Sequence, residues 1–66
     1  MTTIHTTCRT YREAAELSNE LADIDDERFR HGIRDRTVSI QCEDGNAARW
    51  VRQLESDSRV EVVAVG

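Results

Sequence analysis

The sequence predicts an α+β fold in which one four-stranded antiparallel sheet is covered on one face by two helices. Runs of β-branched residues alternate with two amphipathic helical patterns in the order β-α-β-β-α-β. The chain has only 66 residues, which is enough for a single domain, 1–66. Because short connections and antiparallel neighbours leave few topologies, this order predicts the split βαβ, or ferredoxin-like, arrangement with strand order 4-1-3-2.

The first strand and helix are predicted from alternation and from a capping signal. Residues 2–8 alternate, with Ile4, Thr6 and Cys8 on one face. Thr10 and Glu13 form a Thr-x-x-Glu capping box, which predicts a helix that runs to about residue 23. The apolar stripe of this helix is Tyr11, Ala14, Leu17, Leu21 and Ile24.

Two further strands follow as a hairpin. Residues 27–33 are predicted to form a short strand in which Phe29, His31 and Ile33 share one face, so that Phe29 faces the core. A tight connection through Arg34 and Asp35 leads to the next strand, 36–42. There Val38, Ile40 and Cys42 alternate with Thr37, Ser39 and Gln41.

The second helix and the last strand complete the pattern. Asp44 is the predicted cap of the helix, whose buried stripe carries Trp50 at its centre. Residues 59–65 are predicted to form the last strand. Its side chains divide into two faces: Val60, Val62 and Ala64 toward the helices, and Glu61, Val63 and Val65 on the open side. The apolar stripe of the second helix, which precedes this strand, consists of Ala47, Trp50, Val51 and Leu54.

The segment from Ala47 to Val65 is similar to the second helix and last strand of small regulatory ferredoxin-like modules such as the ACT domains. The similarity covers under a third of the chain and consists of hydrophobic spacing. It implies the same fold class and transfers no functional residue.

Composition narrows the classes of partner. Thirteen acidic residues exceed nine basic ones, all arginine, and give a net charge of −4. This balance disfavours nucleic acid and membrane surfaces, which are both anionic. The sequence carries no signal-peptide pattern and no apolar stretch long enough to span a membrane, so the expected location is cytoplasmic.

The small apolar core predicts self-association. A domain of this size buries only about 60% of the surface that its unfolded chain exposes, so a lone core is marginal. Disulfides, metals or oligomerisation usually reinforce such folds. Cys8 and Cys42 end antiparallel neighbouring strands at opposite edges of the sheet, which predicts neither a disulfide nor a shared metal site. We therefore expect a homodimer or a higher homo-oligomer, with no cofactor.

Two polar groups are candidate binding surfaces. The open sheet face is predicted to present His5, Thr37, Ser39 and Gln41 to a second copy or a ligand. An arginine cluster in and beside the second strand is either an edge guarded by charge, a protein contact or a clamp for an anion. Because the first and third strands contain no aromatic residue for base stacking, nucleic acid is the less favoured anion. The cluster consists of Arg28, Arg30, Arg34 and Arg36.

An acidic loop precedes that cluster, formed by Asp23, Asp25, Asp26 and Glu27. It has no glycine and no acid at the twelfth position of a calcium loop, so a metal site is not predicted. A solvated loop that pairs with nearby arginines is the simplest interpretation, and recognition of a protein partner is the alternative.

No catalytic constellation is predicted. His5 and His31 have no serine, cysteine or carboxylate at a catalytic spacing. Cys8 precedes a helix start, where a dipole and Arg9 could lower the pKa of a thiol, but a small core residue is the simpler role.

The sequence therefore predicts a small non-enzymatic protein-interaction or regulatory module that associates with itself through its sheet. Small phage- or plasmid-type regulators, or inhibitors of a host protein, have this character. The alternative is a binding domain for an anionic small ligand or nucleic acid that uses the arginine cluster.

Overall fold

A computed structural model describes residues 1–24 and 29–66. The strands form a single antiparallel sheet in the order β2-β3-β1-β4, which is the predicted order 4-1-3-2 viewed from the other edge. Helix α1 packs mainly over β2 and contacts β1 and β3 about equally, whereas helix α2 packs over β4 and β1. The elements are β1 (Thr2–Cys8), α1 (Tyr11–Asp23), β2 (Phe29–Arg34), β3 (Thr37–Cys42), α2 (Asp44–Glu55) and β4 (Val60–Val65).

Helix α1 begins where its capping signal predicts. The Thr10 hydroxyl accepts a hydrogen bond from the Glu13 main-chain N–H at 3.1 Å. The buried side of the helix is narrower than the predicted stripe, because Tyr11 and Ile24 lie at its two ends and are exposed. The prediction that Tyr11 and Ile24 belong to the buried stripe of α1 is wrong.

The hairpin of β2 and β3 is shifted by one residue from its predicted bounds. Arg34 pairs with Thr37, so Asp35 and Arg36 form the turn and the second strand begins at Thr37. Asp35 has a φ of 54°, a left-handed conformation that aspartate tolerates better than most residues. The first two residues of the predicted strand 27–33 lie outside the described residues.

Helix α2 starts without the predicted side-chain cap. Its N-cap is Glu43, which makes no capping hydrogen bond, and Asp44 is already helical. Asp44 instead accepts a hydrogen bond from the Thr2 hydroxyl at 2.7 Å and lies 3.2 Å from the Met1 amino group. It therefore joins the start of α2 to the start of β1.

A β-bulge reverses the predicted faces of most of β4. Thr7 pairs with Val62 but Cys8 pairs with Val60, so one extra residue of β4 lies between these pairs. Beyond the bulge, Val63 lies opposite the buried Thr6 on the helix face, whereas Val62 and Ala64 lie on the open face. The prediction that Val62 and Ala64 face the helices, and Val63 and Val65 the open side, is wrong. Beyond an inserted residue, simple alternation along the strand assigns each side chain to the wrong face of the sheet.

The core lies between the sheet and the helices. Trp50 and Phe29 are both 9% exposed, and their ring centroids lie 5.0 Å apart. The core position predicted for each of these two residues is confirmed. The other buried apolar residues are Ile4, Cys8, Ala14, Leu17, Leu21, Val38, Ile40, Cys42 and Leu54.

Candidate functional site

The strand register arranges the open sheet face in rows of side chains. Arg30, Gln41 and Thr3 form one row across β2, β3 and β1. The next row consists of Gly32, Ser39 and His5, because Gly32 and His5 both pair with Ser39. Since alternate residues of a strand point to the same face, the two rows are neighbours on the open side.

These two rows line a shallow concavity of about 390 Å³. Gly32 supplies no side chain at the outer end of its row, and a Cβ added there would meet no atom within 4 Å. The missing side chain is thus what keeps the concavity open toward the β2 edge. His31 also borders it, although the His31 ring packs near Phe29 with a centroid separation of 6.1 Å.

The concavity is polar and its ionisable residues are basic. The Nδ1 atom of His5 lies 3.2 Å from the Ser39 hydroxyl, in hydrogen-bonding range. Arg30 and His5 are exposed, and Ser39, which lies between Gly32 and His5 in its row, is half-buried. The described residues that line the concavity are Thr3, His5, Arg30, His31, Gly32, Ser39 and Gln41. None of these residues is an aspartate or a glutamate.

The structure brings three of the predicted open-face residues together and leaves one apart. His5, Ser39 and Gln41 line the concavity, whereas Thr37 lies in the next row between Thr7 and Arg34. The prediction that these residues share the open face agrees with the register. Their binding role stays a prediction.

The arginine cluster does not form one site. Arg30 lines the concavity, and Arg34 lies on the same face of β2, about 13 Å further along the strand. Arg36 lies in the turn, and its guanidinium donates to the Arg9 main-chain oxygen at 3.3 Å. Arg28 lies outside the described residues. Of the four predicted binding arginines, Arg30 alone is placed beside other candidate ligand-binding groups within the part of the chain that the structure describes.

The predicted acidic loop is represented by one described residue. Asp23 is the last residue of α1 and is exposed. Asp25, Asp26 and Glu27 lie outside the described residues. Over residues 1–24 and 29–66, no three histidine, cysteine, aspartate or glutamate side chains are grouped closely enough to hold a metal ion.

Arg59 forms a cluster that the sequence did not reveal. Its guanidinium donates to Asp57 at 2.9 and 2.6 Å, and both of its terminal nitrogens donate to the Glu20 carboxylate. The Arg59 main-chain N–H also donates to Asp57 at 2.9 Å. The Arg59 side chain is only 20% exposed, so it joins α1 to the segment before β4 in a partly desolvated setting.

These contacts shift the acid–base properties of the three groups. Hydrogen bonds from Arg59 hold the pKa of Glu20 and the pKa of Asp57 below their ordinary values. In return, Asp57 and Glu20 raise the pKa of Arg59. An Asp two residues before an Arg at a helix exit is a local signal for part of this cluster, but Glu20 is 39 residues away.

Both cysteines are buried free thiols at opposite ends of the sheet. Cys8 lies opposite Val60 of β4, and Cys42 lies opposite Phe29 of β2. Burial raises the pKa of each thiol, with a further contribution at Cys8 from Asp57. Cys8 is fully buried, as expected for the simpler role of a small core residue, and desolvation outweighs the nearby positive charge that could have lowered the pKa of its thiol.

Searches against protein-family models, curated proteins and solved structures found no match. Within the described residues, no helix is both long and apolar enough to cross a membrane.

Proposed function

We propose that this protein is a small non-catalytic interaction module that works as a homodimer joined along β4. The observation that supports this most directly is the chemistry of that edge strand. Val60–Val65 has the sequence VEVVAV, with one charged residue, and its Val62 and Val65 residues are 54% and 58% exposed. An exposed apolar edge strand is a template for pairing with another strand.

The hydrogen-bond alternation of β4 leaves main-chain groups available for that pairing. Gly66 N–H donates to the Thr3 carbonyl at 3.0 Å, which makes Thr3 and Gly66 a hydrogen-bonded pair. Hydrogen-bonded and non-bonded pairs alternate in an antiparallel ladder. The N–H and C=O groups of Val63 and Val65 therefore point away from β1, toward the side where a further strand would lie.

A second copy of the chain fits this edge by symmetry. Two β4 strands related by a two-fold axis at Val63 would be antiparallel, and each Val62 would lie opposite Ala64 of the second copy. Such an interface is closed and isologous. Pairing two β2 strands would instead bring Arg30 and Arg34 beside the same arginines of the second copy, which like-charge repulsion disfavours.

A polar group buried in the core supports association as well. Thr6 is fully buried, and its hydroxyl has no hydrogen-bond partner within the described part of the chain. A buried hydroxyl without a partner costs about 1–3 kcal/mol. Extending the sheet across a dimer would bury further apolar surface of β4 and add main-chain hydrogen bonds.

Sedimentation equilibrium over about 1 to 500 µM tests the dimer directly, because a weak dimer forms by mass action. The expected dissociation constant is micromolar or weaker, since the interface is small. The variant Val62→Lys/Ala64→Lys places two charges per copy in the interface and should be monomeric with an unchanged circular dichroism spectrum.

The matched control is Ala48→Lys/Gln53→Lys, which makes the same change of net charge at exposed positions of α2. It should dimerise as the wild type does. A wild-type chain that stays monomeric at the highest concentration contradicts the proposal. Equal dimerisation of the β4 variant and its control would place the interface elsewhere and contradict it too.

A second candidate function is binding of an anionic small ligand. The observation that favours it is the concavity around Arg30, which contains basic and hydrogen-bonding groups without a carboxylate among its described lining residues. It lies over β1, β2 and β3, so a dimer through β4 would leave it accessible.

A further inference from the structure

We infer that the concavity on the open sheet face binds a small polar carboxylate, with Arg30 as its charge partner. This inference rests on the second candidate function and not on the dimer, because none of the lining residues lies in β4. Its volume of about 390 Å³ is within the range of small-molecule sites.

Charge segregation supports an anionic ligand. The chain carries a net charge of −4, yet the described strand positions that the register assigns to the open face contain two arginines, one histidine and no carboxylate. These positions are Thr3, His5, Thr7, Arg30, Gly32, Arg34, Thr37, Ser39, Gln41, Val62 and Ala64. An anion that approaches the open face therefore meets arginine and histidine side chains and no acidic side chain at these described positions.

The charge of the site matches one carboxylate group. Among the described residues that line the concavity, only Arg30 has a permanent positive charge. Its planar guanidinium can bind a carboxylate through two parallel hydrogen bonds. A phosphate dianion would keep a second negative charge without a permanent cation to match it.

The remaining polar groups suit the oxygens of a hydroxylated ligand. The pair of His5 and Ser39 offers a donor whichever way its shared proton lies. If Ser39 donates to Nδ1, neutral His5 carries its proton on Nε2; if Nδ1–H donates, the Ser39 hydroxyl keeps a proton for the ligand. Gln41 adds an amide that donates and accepts.

Gly32 makes the space for the ligand. Its φ is not in the left-handed region, and a Cβ there would meet no atom within 4 Å. Neither backbone conformation nor packing therefore requires glycine, which otherwise weakens a strand by about 0.5–1 kcal/mol relative to alanine. A larger side chain at this position would fill the concavity and leave the fold intact.

The test is an NMR titration of the untagged chain with gluconate, a six-carbon hydroxylated monocarboxylate. Sorbitol, the corresponding neutral polyol, and inorganic phosphate are titrated in parallel. Saturable shifts are expected at the amides of Gly32, Ser39 and Gln41 with gluconate and not with sorbitol. Added residues at the ends are avoided because Gly66 lies beside the His5 ring and Met1 contacts Asp44.

Three variants locate the site. Arg30→Ala should weaken gluconate binding about tenfold or more, the expected loss of a charge-assisted hydrogen-bonded pair. Arg34→Ala removes an arginine from the same face of the same strand, outside the concavity, and should change affinity by less than about twofold. Gly32→Val should remove binding, and its free energy of unfolding should be at least as large as that of the wild type.

Equal binding by the wild type and Arg30→Ala, or shifts spread evenly over the surface, would overturn the inference. Phosphate binding as tight as gluconate binding would contradict the assignment to carboxylates. The titration is repeated with Val62→Lys/Ala64→Lys, in which binding should persist. Failure of the dimer proposal and failure of this one are therefore observed separately.

Discussion

The two outer strands of the sheet occupy equivalent places and have opposite chemistry. Strand β2 carries Arg30, Gly32 and Arg34 on its open face, whereas β4 carries Val62 and Ala64 on the same face. Charge on an edge strand opposes pairing with another chain, and apolar side chains favour it. The proposed dimer through β4 would therefore be closed, because the β2 edge is guarded by charge and the β4 edge is not.

The two edges also differ in how they are attached to the helices. The segment before β4 is tied to α1 through Arg59, Asp57 and Glu20. Strand β2 is joined to the helix layer through Phe29, which packs against Trp50. One edge therefore depends on a partly buried ionic cluster, and the other on aromatic packing.

The largest expected effect comes from giving β2 the chemistry of β4. In Arg30→Val/Arg34→Val both edges would be apolar, so dimers formed through β4 could join through β2 into open-ended assemblies. Sedimentation velocity should show species many times the mass of the dimer at concentrations where the wild type shows none.

The control for this variant is Arg49→Val/Arg52→Val, which removes two arginines from exposed positions of α2. It should sediment as the wild type does. If both double variants form the same assemblies, net charge rather than edge protection is responsible, and the arginines of β2 do not guard its edge.

The next effect in size comes from removing the cluster at the start of β4. Arg59→Ala leaves Asp57, which is 19% exposed, without its charge partner. We expect a loss of about 2 kcal/mol in the free energy of unfolding, measured by urea denaturation. Arg34→Ala, which removes an exposed arginine from β2, should cost less than about 0.5 kcal/mol.

The buried cysteines report which edge loosens in Arg59→Ala. Cys8 lies opposite Val60 and Cys42 opposite Phe29, so thiol labelling under native conditions measures opening near β4 and near β2 separately. Cys8 labelling should accelerate by up to about thirtyfold, the equivalent of 2 kcal/mol. Equal acceleration at both thiols would show global rather than local opening and contradict the separate attachment of the edges.

The smallest effect is the acid dependence of the same cluster. Arg59 holds the pKa values of Glu20 and Asp57 below their ordinary 4.5 and 3.8. The stability that they add is present above those ordinary values and is lost as the pH falls through the lower folded-state values. Between about pH 6 and pH 3, the wild type should therefore lose more stability than Arg59→Ala.

Glu13 and Asp44 also have lowered pKa values, and both residues remain in Arg59→Ala. The stability of Arg59→Ala should therefore depend less on pH than that of the wild type, but it should still fall at acid pH. Amide hydrogen exchange at acid pH should show β4 opening before β2 in the wild type. Parallel stability profiles for the wild type and Arg59→Ala would indicate that the cluster does not couple to folding.

Features set by local periodicity could be predicted from the sequence. The Thr10 and Glu13 capping box predicted the start of α1, and the spacing of Trp50 and Leu54 predicted the buried face of α2. The order of elements predicted the antiparallel sheet, because short connections allow few alternatives. The open-face positions of His5, Ser39 and Gln41 followed from simple alternation along regular strands.

Features set by contacts between distant residues needed the tertiary structure. The bulge opposite Cys8 moved Val63 to the helix face, and no periodic pattern marks an inserted residue. The contact between Glu20 and Arg59 joins residues 39 positions apart. The register of three strands sets Gly32 beside Ser39 and Arg30 beside Gln41. Only this register showed which arginine of the predicted cluster lines the concavity.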